Sequence, residues 1–263
     1  MRKISCLPFW LTLVAVALFV SPAYAATIGV NFSAEFGSIA STDPAGVVPK
    51  INWNNFNAVQ TAAPIKNDSG ANTSVLVSTN RTNYSSIAPT GGTNGDKALM
   101  SGGQRSTAPS SGQTVSVLLQ NINSAISGPY DAYVYFSTHG LSFIWGQGTV
   151  YASNNAGDFG GNVIPGSFLD SQNWSLPGVS PFTGTFIQGT NYVKFTGLTE
   201  DTLVLTAYVT GGPSGGDFNN SRVSGVQLVG ADAPAVPEPS TYALGLIGLA
   251  GLGVVAWRRR RQS

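Results

Sequence analysis

Few side chains in this 263-residue chain could perform covalent catalysis, since it contains one histidine and one cysteine. His139 follows Ser137-Thr138, and a Ser-His-acid triad would need the imidazole beside a serine and a carboxylate. A Gly-x-Ser-x-Gly string occurs at 212–216, but the Gly- and Asn-rich residues after it predict a loop rather than the helix of a nucleophile elbow. We therefore interpret His139 as a structural or loop residue and assign no catalytic residues.

Carboxylates offer a second kind of chemistry. Two of them could hydrolyse a glycosidic bond if the fold placed them about 5–10 Å apart. The candidates are Glu35, Asp131, Asp170 and Glu200, and the sequence does not choose among them. A hydrolase acting on polysaccharide is therefore a third hypothesis, behind the two developed below.

Oxygen ligands for calcium occur in two segments, 154–158 and 217–220, each of which combines aspartate with asparagine. Neither segment has the spacing of a known calcium loop, and Asn, Asp and Gly are also the usual residues of tight turns. A single histidine excludes a multi-histidine metal site within one chain. The sequence thus predicts no metal site and no cofactor, with calcium left open as an alternative.

Aromatic residues flanked by amides could bind sugars, because a ring stacks on the sugar face while an amide bonds its hydroxyls. Trp53 with Asn54 is one such combination, and Trp174 is another. Trp145 follows Phe143 in an expected strand, which favours a place in the core. Filling the core is the alternative for all three tryptophans, so a carbohydrate-binding module is our second hypothesis.

The C-terminus contains three elements in a fixed order. Pro237, Glu238 and Pro239 precede an uncharged, Leu- and Gly-rich segment at 240–257, and Arg258, Arg259, Arg260 and Arg261 follow it. Eighteen helical residues span about 27 Å, which is just enough to cross the hydrocarbon core of a bilayer. The arginines would hold that end in the cytoplasm.

This order closely resembles the PEP-CTERM sorting signal of Gram-negative bacteria, over residues 237–263. The resemblance implies that exosortase, a membrane-embedded protease, reads the Pro-Glu-Pro tripeptide. It further implies a protein associated with exopolysaccharide or biofilm. An ordinary tail anchor after a proline-rich linker is the alternative.

The N-terminus predicts export. Arg2 and Lys3 precede an apolar run, and Ala23 and Ala25 provide the small residues that signal peptidase requires, so we place a signal peptide at 1–25. An uncleaved anchor is the alternative. Cleavage after Ala25 would remove Cys6 and leave a mature chain without thiols. Between 26 and 236, seven basic against eleven acidic side chains give a net charge of −4, and this argues against nucleic acid as a partner.

The body, 26–230, predicts an all-β fold because short alternating strands recur between turn-forming clusters. We expect a two-sheet sandwich, with the order of a jelly roll, followed by a linker at 231–236. Residues 117–126 carry a weak helical spacing, but their asparagines favour a strand leading into a loop. The expected strands are 26–32, 73–78, 114–119, 130–137, 148–153, 182–188, 191–196, 203–209 and 223–229, with a tight turn at Gly189-Thr190-Asn191 and a long exposed loop at 91–112.

Two stretches of the body, 46–55 and 195–199 with 223–228, resemble an all-β extracellular domain of secreted bacterial proteins that has no established activity. Together these features predict a non-enzymatic exported protein. Its precursor would be anchored in the inner membrane facing the periplasm. Processing would then deliver it to the envelope, cell surface or extracellular matrix of a Gram-negative bacterium.

Overall fold

Strands form most of the body in the computed structural model, which describes residues 26–57, 63–85, 88–105, 114–138, 146–160, 168–176, 181–209 and 221–231. These residues belong to the unit Ala25–Asp232. The strands are β1 (Thr27–Asn31), β2 (Asn54–Asn55), β3 (Ala63–Lys66), β4 (Asn72–Thr79), β5 (Thr82–Ser85), β6 (Gly102–Arg105), β7 (Thr114–Gln120), β8 (Tyr130–Thr138), β9 (Gly146–Ser153), β10 (Asp170–Leu176), β11 (Tyr192–Leu198), β12 (Leu203–Val209) and β13 (Ser221–Gly230). One helix, α1 (Asn94–Leu99), and single 3-10 turns at Ile122–Ser124 and Ala156–Asp158 complete the described elements.

The strands form two sheets with the expected sandwich architecture. The first, sheet A, has the order β11-β8-β13-β1-β2, with β6 also paired to β13 and β5 paired to β6. The second, sheet B, has the order β10-β9-β12-β7-β4-β3. Eight strands follow a jelly roll, because β1 pairs with β13, β7 with β12, β8 with β11 and β9 with β10. The jelly-roll prediction is therefore confirmed.

Apolar residues at every second position of the strands build the core between the sheets. In β8, Val134 and Phe136 face this core, whereas Tyr133 and Tyr135 point to the outer face of sheet A. Those outward tyrosines are also buried, with 5% and 0% of their surface exposed. Sheet A is therefore covered on both faces.

The expected loop at 91–112 is wrong over its central part, which contains α1 and β6. Helix α1 begins with a capping box, because the Thr93 hydroxyl accepts from the Asp96 amide while the Asp96 carboxylate accepts from the Thr93 amide. Leu99 is fully buried over Gly225, where a Cβ would lie 2.7 Å from the Leu99 side chain. Gly, Ser and Thr dominated the composition of this stretch and obscured one buried helical face.

Eight of the nine expected strands are present, and the prediction of a strand at 182–188 is wrong. Residues 181–191 form an irregular segment with isolated bridges at Thr183 and Gln188. The turn at Gly189 exists, with φ of 74°, but it does not join two strands of one hairpin. Strand β10, which pairs with β9 at the edge of sheet B, was not among the expected strands, because its sequence is largely polar. Residues 117–126 form the end of β7 and a 3-10 turn, as expected for a strand leading into a loop.

Candidate functional site

Trp53 lies flat against the outer face of sheet A. A Cβ at Gly29 of β1 would approach the Trp53 ring to 2.5 Å, so only glycine leaves room for the indole. The ring makes an edge contact with Tyr135, its Nε1 donates to the Lys50 carbonyl at 2.8 Å, and 5% of the residue is exposed. The structure therefore gives Trp53 a packing role and little surface on which a sugar could stack.

Asn54 joins the two sheets through its side-chain amide. Its Nδ2 donates to the carbonyls of Gly29 in sheet A and Lys66 in sheet B, at 3.0 and 2.8 Å. Its Oδ1 accepts from the Lys66 amide at 2.7 Å. The side-chain amide thus bonds the backbone of both sheets in the way that a neighbouring strand would.

Trp174 is inside the sandwich. It is 2% exposed, and its ring stacks on Phe136 across the two sheets with centroids 4.6 Å apart and planes inclined by 13°. Its Nε1 has no hydrogen-bond partner among the described residues. The residues named from the sequence for sugar binding are therefore dispersed: Trp174 is in the core, Trp53 packs on the outer face of sheet A, and Asn54 lies in the edge strand β2.

A group of aromatic residues that the sequence did not single out covers the outer face of β8 and β11. We call Tyr133, Tyr135, Phe186 and Tyr192 the outer aromatic cluster. Tyr135 contacts Phe186 and Tyr192 at centroid distances of 5.3 and 6.3 Å, and Tyr133 contacts Tyr192 at 6.1 Å. Phe186 and Tyr192 are partly exposed, so the cluster extends from the buried sheet to solvent.

The only sequence signal for this cluster was the Tyr133, Tyr135 alternation, which places both rings on one face of β8. The other two rings come from a segment more than 50 residues later, so their contact with β8 depends on the pairing of β11. Tyr192 is directly opposite Tyr135 in that register. No local sequence pattern could have shown that Tyr192 lies opposite Tyr135.

Tyr135 helps to anchor the segment around Val47 and Val48 to sheet A through its hydroxyl group. The hydroxyl donates to Oε1 of Gln227 at 2.7 Å and accepts from the Val47 amide at 2.9 Å. Nε2 of Gln227 then donates to the Val48 carbonyl at 2.6 Å. Burial raises the pKa of the Tyr135 phenol well above its ordinary value, because the charged form would lose its hydration. The phenol is therefore a permanent donor at neutral pH.

Lys194 and Asp131 form an ion pair beside the outer aromatic cluster. Nζ of Lys194 lies 2.7 Å from Oδ2 of Asp131 and 5.3 Å from the centroid of the Tyr133 ring. The hydrogen bond to Asp131 raises the pKa of Lys194. The pair keeps this surface formally neutral while it offers one charged donor and one charged acceptor.

The other carboxylates named for glycoside hydrolysis are at turns and strand ends. Glu35 is exposed in the turn after β1, and the Asp170 carboxylate accepts from the Ser171 amide and the Gln172 side chain. The Glu200 carboxylate accepts from the amide of its neighbour Thr199. The Asp170 and Glu200 carboxylates thus accept hydrogen bonds from their own neighbours in the chain.

The first calcium candidate, 154–158, is a capped 3-10 turn. The buried Asp158 carboxylate accepts hydrogen bonds from the Ser153 hydroxyl and from Nδ2 of Asn155. Oδ1 of Asn155 accepts from the Gly157 amide at 2.9 Å. Within the described ranges, no three His, Cys, Asp or Glu side chains come together as metal ligands.

The two termini of the described body meet at one end of sheet A, which we call the terminal end. Strand β1 begins there and β13 ends there, and the Gly230 amide donates to the Ala26 carbonyl at 3.4 Å. The Ala231 amide donates to the Pro129 carbonyl at 2.8 Å, just before β8 begins. Backbone hydrogen bonds therefore hold the chain in place up to residue 231.

Residues 235–261, immediately after this end, match the family model described as the PEP-CTERM protein-sorting motif. The chain carries a PEP-CTERM motif. It is C-terminal, as expected for an exosortase substrate. No curated protein and no solved structure matches the chain.

The PEP-CTERM residues Pro237, Glu238, Pro239 and Arg258 to Arg261 lie outside the described residues, as does the expected span 240–257. Among the residues that are described, no helix is both long and apolar enough to cross a membrane. Other predictions that fall outside the described ranges concern Ala23, Ala25, His139, Trp145 and the segments 212–216 and 217–220.

Proposed function

We propose that the protein is a non-enzymatic component of the cell envelope or extracellular matrix, exported and then cleaved by an exosortase-type enzyme. The match of residues 235–261 to the PEP-CTERM motif carries this proposal. The motif supports an exported protein that is anchored in a membrane and then processed. We further propose that signal peptidase cuts after Ala25. The precursor would then face the periplasm of a Gram-negative cell.

A structural role is supported by how the body uses its polar residues. The amide of Asn54 and the phenol of Tyr135 bond backbone or buried side chains instead of facing a cleft. The Asp131 carboxylate is paired with Lys194. Such a body suits a role in which a stable, weakly charged surface meets other matrix components, including exopolysaccharide in a biofilm.

Intact mass spectrometry of the mature protein from its native host tests the proposal. Signal cleavage and exosortase cleavage together would give a mass that begins at Ala26 and lacks Arg258 to Arg261. A matched precursor in which Pro237-Glu238-Pro239 is replaced by Ala-Ala-Ala should retain the arginines. A wild-type protein that also retains them would refute processing and leave an ordinary tail anchor.

Carbohydrate binding is the second candidate, and the outer aromatic cluster is the observation that favours it. Phe186 and Tyr192 present partly exposed rings next to the neutral pair of Lys194 and Asp131. An uncharged sugar could stack on these rings, while its hydroxyls accept a hydrogen bond from Lys194 and donate one to Asp131. This surface replaces Trp53 and Trp174 as the place at which to test sugar binding.

A glycan array probed with the recombinant body, residues 26–236, tests this candidate. Tyr192→Ala should abolish binding, while Leu169→Ala, which removes an exposed apolar side chain elsewhere, should leave it unchanged. Saturable binding that survives Tyr192→Ala would place the site elsewhere. If the wild-type body binds no glycan on the array, this result would count against carbohydrate binding.

A further inference from the structure

Strand β13 is the last strand of the body, yet it lies in the interior of its sheet. It pairs antiparallel with β8 on one side and with β1 and β6 on the other. Every residue from Arg222 to Gly230 is buried. Without β13, the pairings that remain in sheet A are β11 with β8, β1 with β2 and β5 with β6. Among the described strands, β13 therefore joins three separate pieces into one sheet.

Sheet B has no such dependence on β13. Its strands β3, β4, β7, β9, β10 and β12 all lie between residues 63 and 209, and they pair with one another. A chain that ends after β12 thus contains every strand of sheet B and an interrupted sheet A. The edges of β8 and β1 would then face each other across the place of a single strand. Such edges present unpaired backbone donors and acceptors to an extended segment.

The place of β13 fits this strand closely on both faces. On the outer face, Gln227 accepts from the Tyr135 hydroxyl and donates to the Val48 carbonyl. Gly225 lies so close to β1 that a Cβ there would approach the Val30 carbonyl oxygen to 2.6 Å. The side chains of β13 that enter the core are Val223, Val226 and Leu228. The gap that β13 fills is therefore selective for its pattern of apolar, amide and glycine residues.

The pairing of β1 with β13 joins the two ends of the body. Strand β1 comes first in the chain and β13 last, and they meet at the terminal end. Contacts between residues far apart in the chain form slowly, because a long loop must close before they can form. Completion of sheet A is therefore a late step of folding. The sorting motif begins at residue 235, only a few residues after β13.

We infer that β13 is the closing strand of the body. Without residues 221–230 the chain keeps a gap between β8 and β1, and β13 enters this gap by strand addition. A chain that stops before β13 also lacks the sorting motif, so resistance to proteases is limited to chains whose C-terminal region has been made. The inference concerns folding and goes beyond the proposed function, because it does not require an exosortase.

Cleavage of the intact body between β12 and β13 tests the inference. A specific protease site is inserted after Gly215 in the recombinant body, residues 26–236. After cleavage, the segment 216–236 should stay bound and co-elute with the rest of the body in gel filtration. Digestion by thermolysin should then proceed at the rate of the uncut body. Release of the segment without denaturant would overturn the inference.

Removal of the segment provides the second step. Residues 26–215, unfolded in urea and refolded alone, should be digested at least about ten-fold faster, since proteolysis follows the population of open chains. Refolding in the presence of a synthetic segment 216–236 should restore slow digestion. The segment with Val226→Asp should fail, because it brings an unpaired charge into the core, whereas Ala231→Asp, the same side chain at an exposed position, should succeed.

Three results of this second step would overturn the inference. They are equal resistance with and without the segment, failure of the wild-type segment to restore resistance, and equal restoration by the two variants.

Truncated precursors extend the test to an exporting host. A precursor that ends after Asp232 keeps β13 and lacks the sorting motif, whereas one that ends after Asn220 lacks both. In a pulse-chase, the shorter chain should be degraded roughly five-fold faster, because it stays open. Equal half-lives would contradict the closing role of β13. Since neither chain contains the motif, a failure of exosortase processing would refute the proposed function and leave this comparison unchanged.

Discussion

The substitution Tyr135→Phe removes a single hydroxyl group, yet it should destabilise the body substantially. The variant keeps the ring and its contacts with Trp53, Phe186 and Tyr192. It removes the donor to Oε1 of Gln227 and the acceptor of the Val47 amide. The perturbation therefore isolates two hydrogen bonds: one joins Val47 to sheet A, and the other orients Gln227, whose Nε2 donates to the Val48 carbonyl.

The magnitude follows from the burial of those two groups. Gln227 is fully buried, so its unpartnered oxygen should cost about 1–3 kcal/mol. Val47 is half-buried, and water can replace part of its bond, which adds up to about 1 kcal/mol. Together these give an expected loss of about 1–4 kcal/mol in the free energy of unfolding, a large part of the usual ~5–15 kcal/mol.

The pH dependence provides a second, independent signature. Burial raises the pKa of Tyr135, and burial together with the charge of Glu200 raises that of Tyr130. Below pH ~10 the phenols are protonated in both folded and unfolded chains, so their contribution is fully present. Above it the unfolded chain loses protons that the folded chain retains, and stability falls as pH rises. Tyr135→Phe should make this alkaline loss less steep.

Urea unfolding of the recombinant body, followed by tryptophan fluorescence at pH 7 and from pH 9 to 11, measures both effects. The midpoint should shift by roughly 1 M for Tyr135→Phe. Tyr192→Phe, at a partly exposed ring, should change the stability by less than about 0.5 kcal/mol. Equal stabilities of these two variants, with the same alkaline slope, would refute the role assigned to the Tyr135 hydroxyl.

The remaining predictions concern the contacts of β1. Gly29→Ala should destabilise the body by roughly 1–3 kcal/mol in urea unfolding, since its Cβ would overlap the Trp53 ring. In a Trp53→Ala background the ring is absent, so the same substitution should cost much less. Equal costs of Gly29→Ala in the two backgrounds would contradict the packing argument. Asn54→Ala should cost about 1–2 kcal/mol and increase amide hydrogen exchange at Lys66; unchanged exchange there would show that the side chain does not join the sheets.

Strands whose apolar residues alternate were predictable because their signal is local. In β8, Val134 and Phe136 alternate with tyrosines, and β12 and β13 show similar patterns. The jelly-roll order was also confirmed, since the number of strands and their short spacing leave few closed two-sheet arrangements.

The errors arose where the local composition did not match the element that forms. Residues 182–188 are apolar enough for a strand but form part of the cover over sheet A, and Phe182 and Phe186 pack against each other there. Strand β10 is largely polar because it is an edge strand, and only Trp174 shows that one of its faces meets the core. Helix α1 is too short for helical periodicity to identify, although its capping box is visible in the sequence.

The sequence by itself identified the sorting motif of this protein and most of its strands. A sorting motif is a linear order of residue types, and a strand shows its buried face within a few residues, so neither needs distant partners. Only the tertiary structure decided that Asn54 joins two sheets, that Trp53 covers Gly29, and that backbone hydrogen bonds hold the body in place up to Ala231. These roles depend on partners such as Gln227 and Val48, which are 179 residues apart in the chain and meet only when β13 completes its sheet.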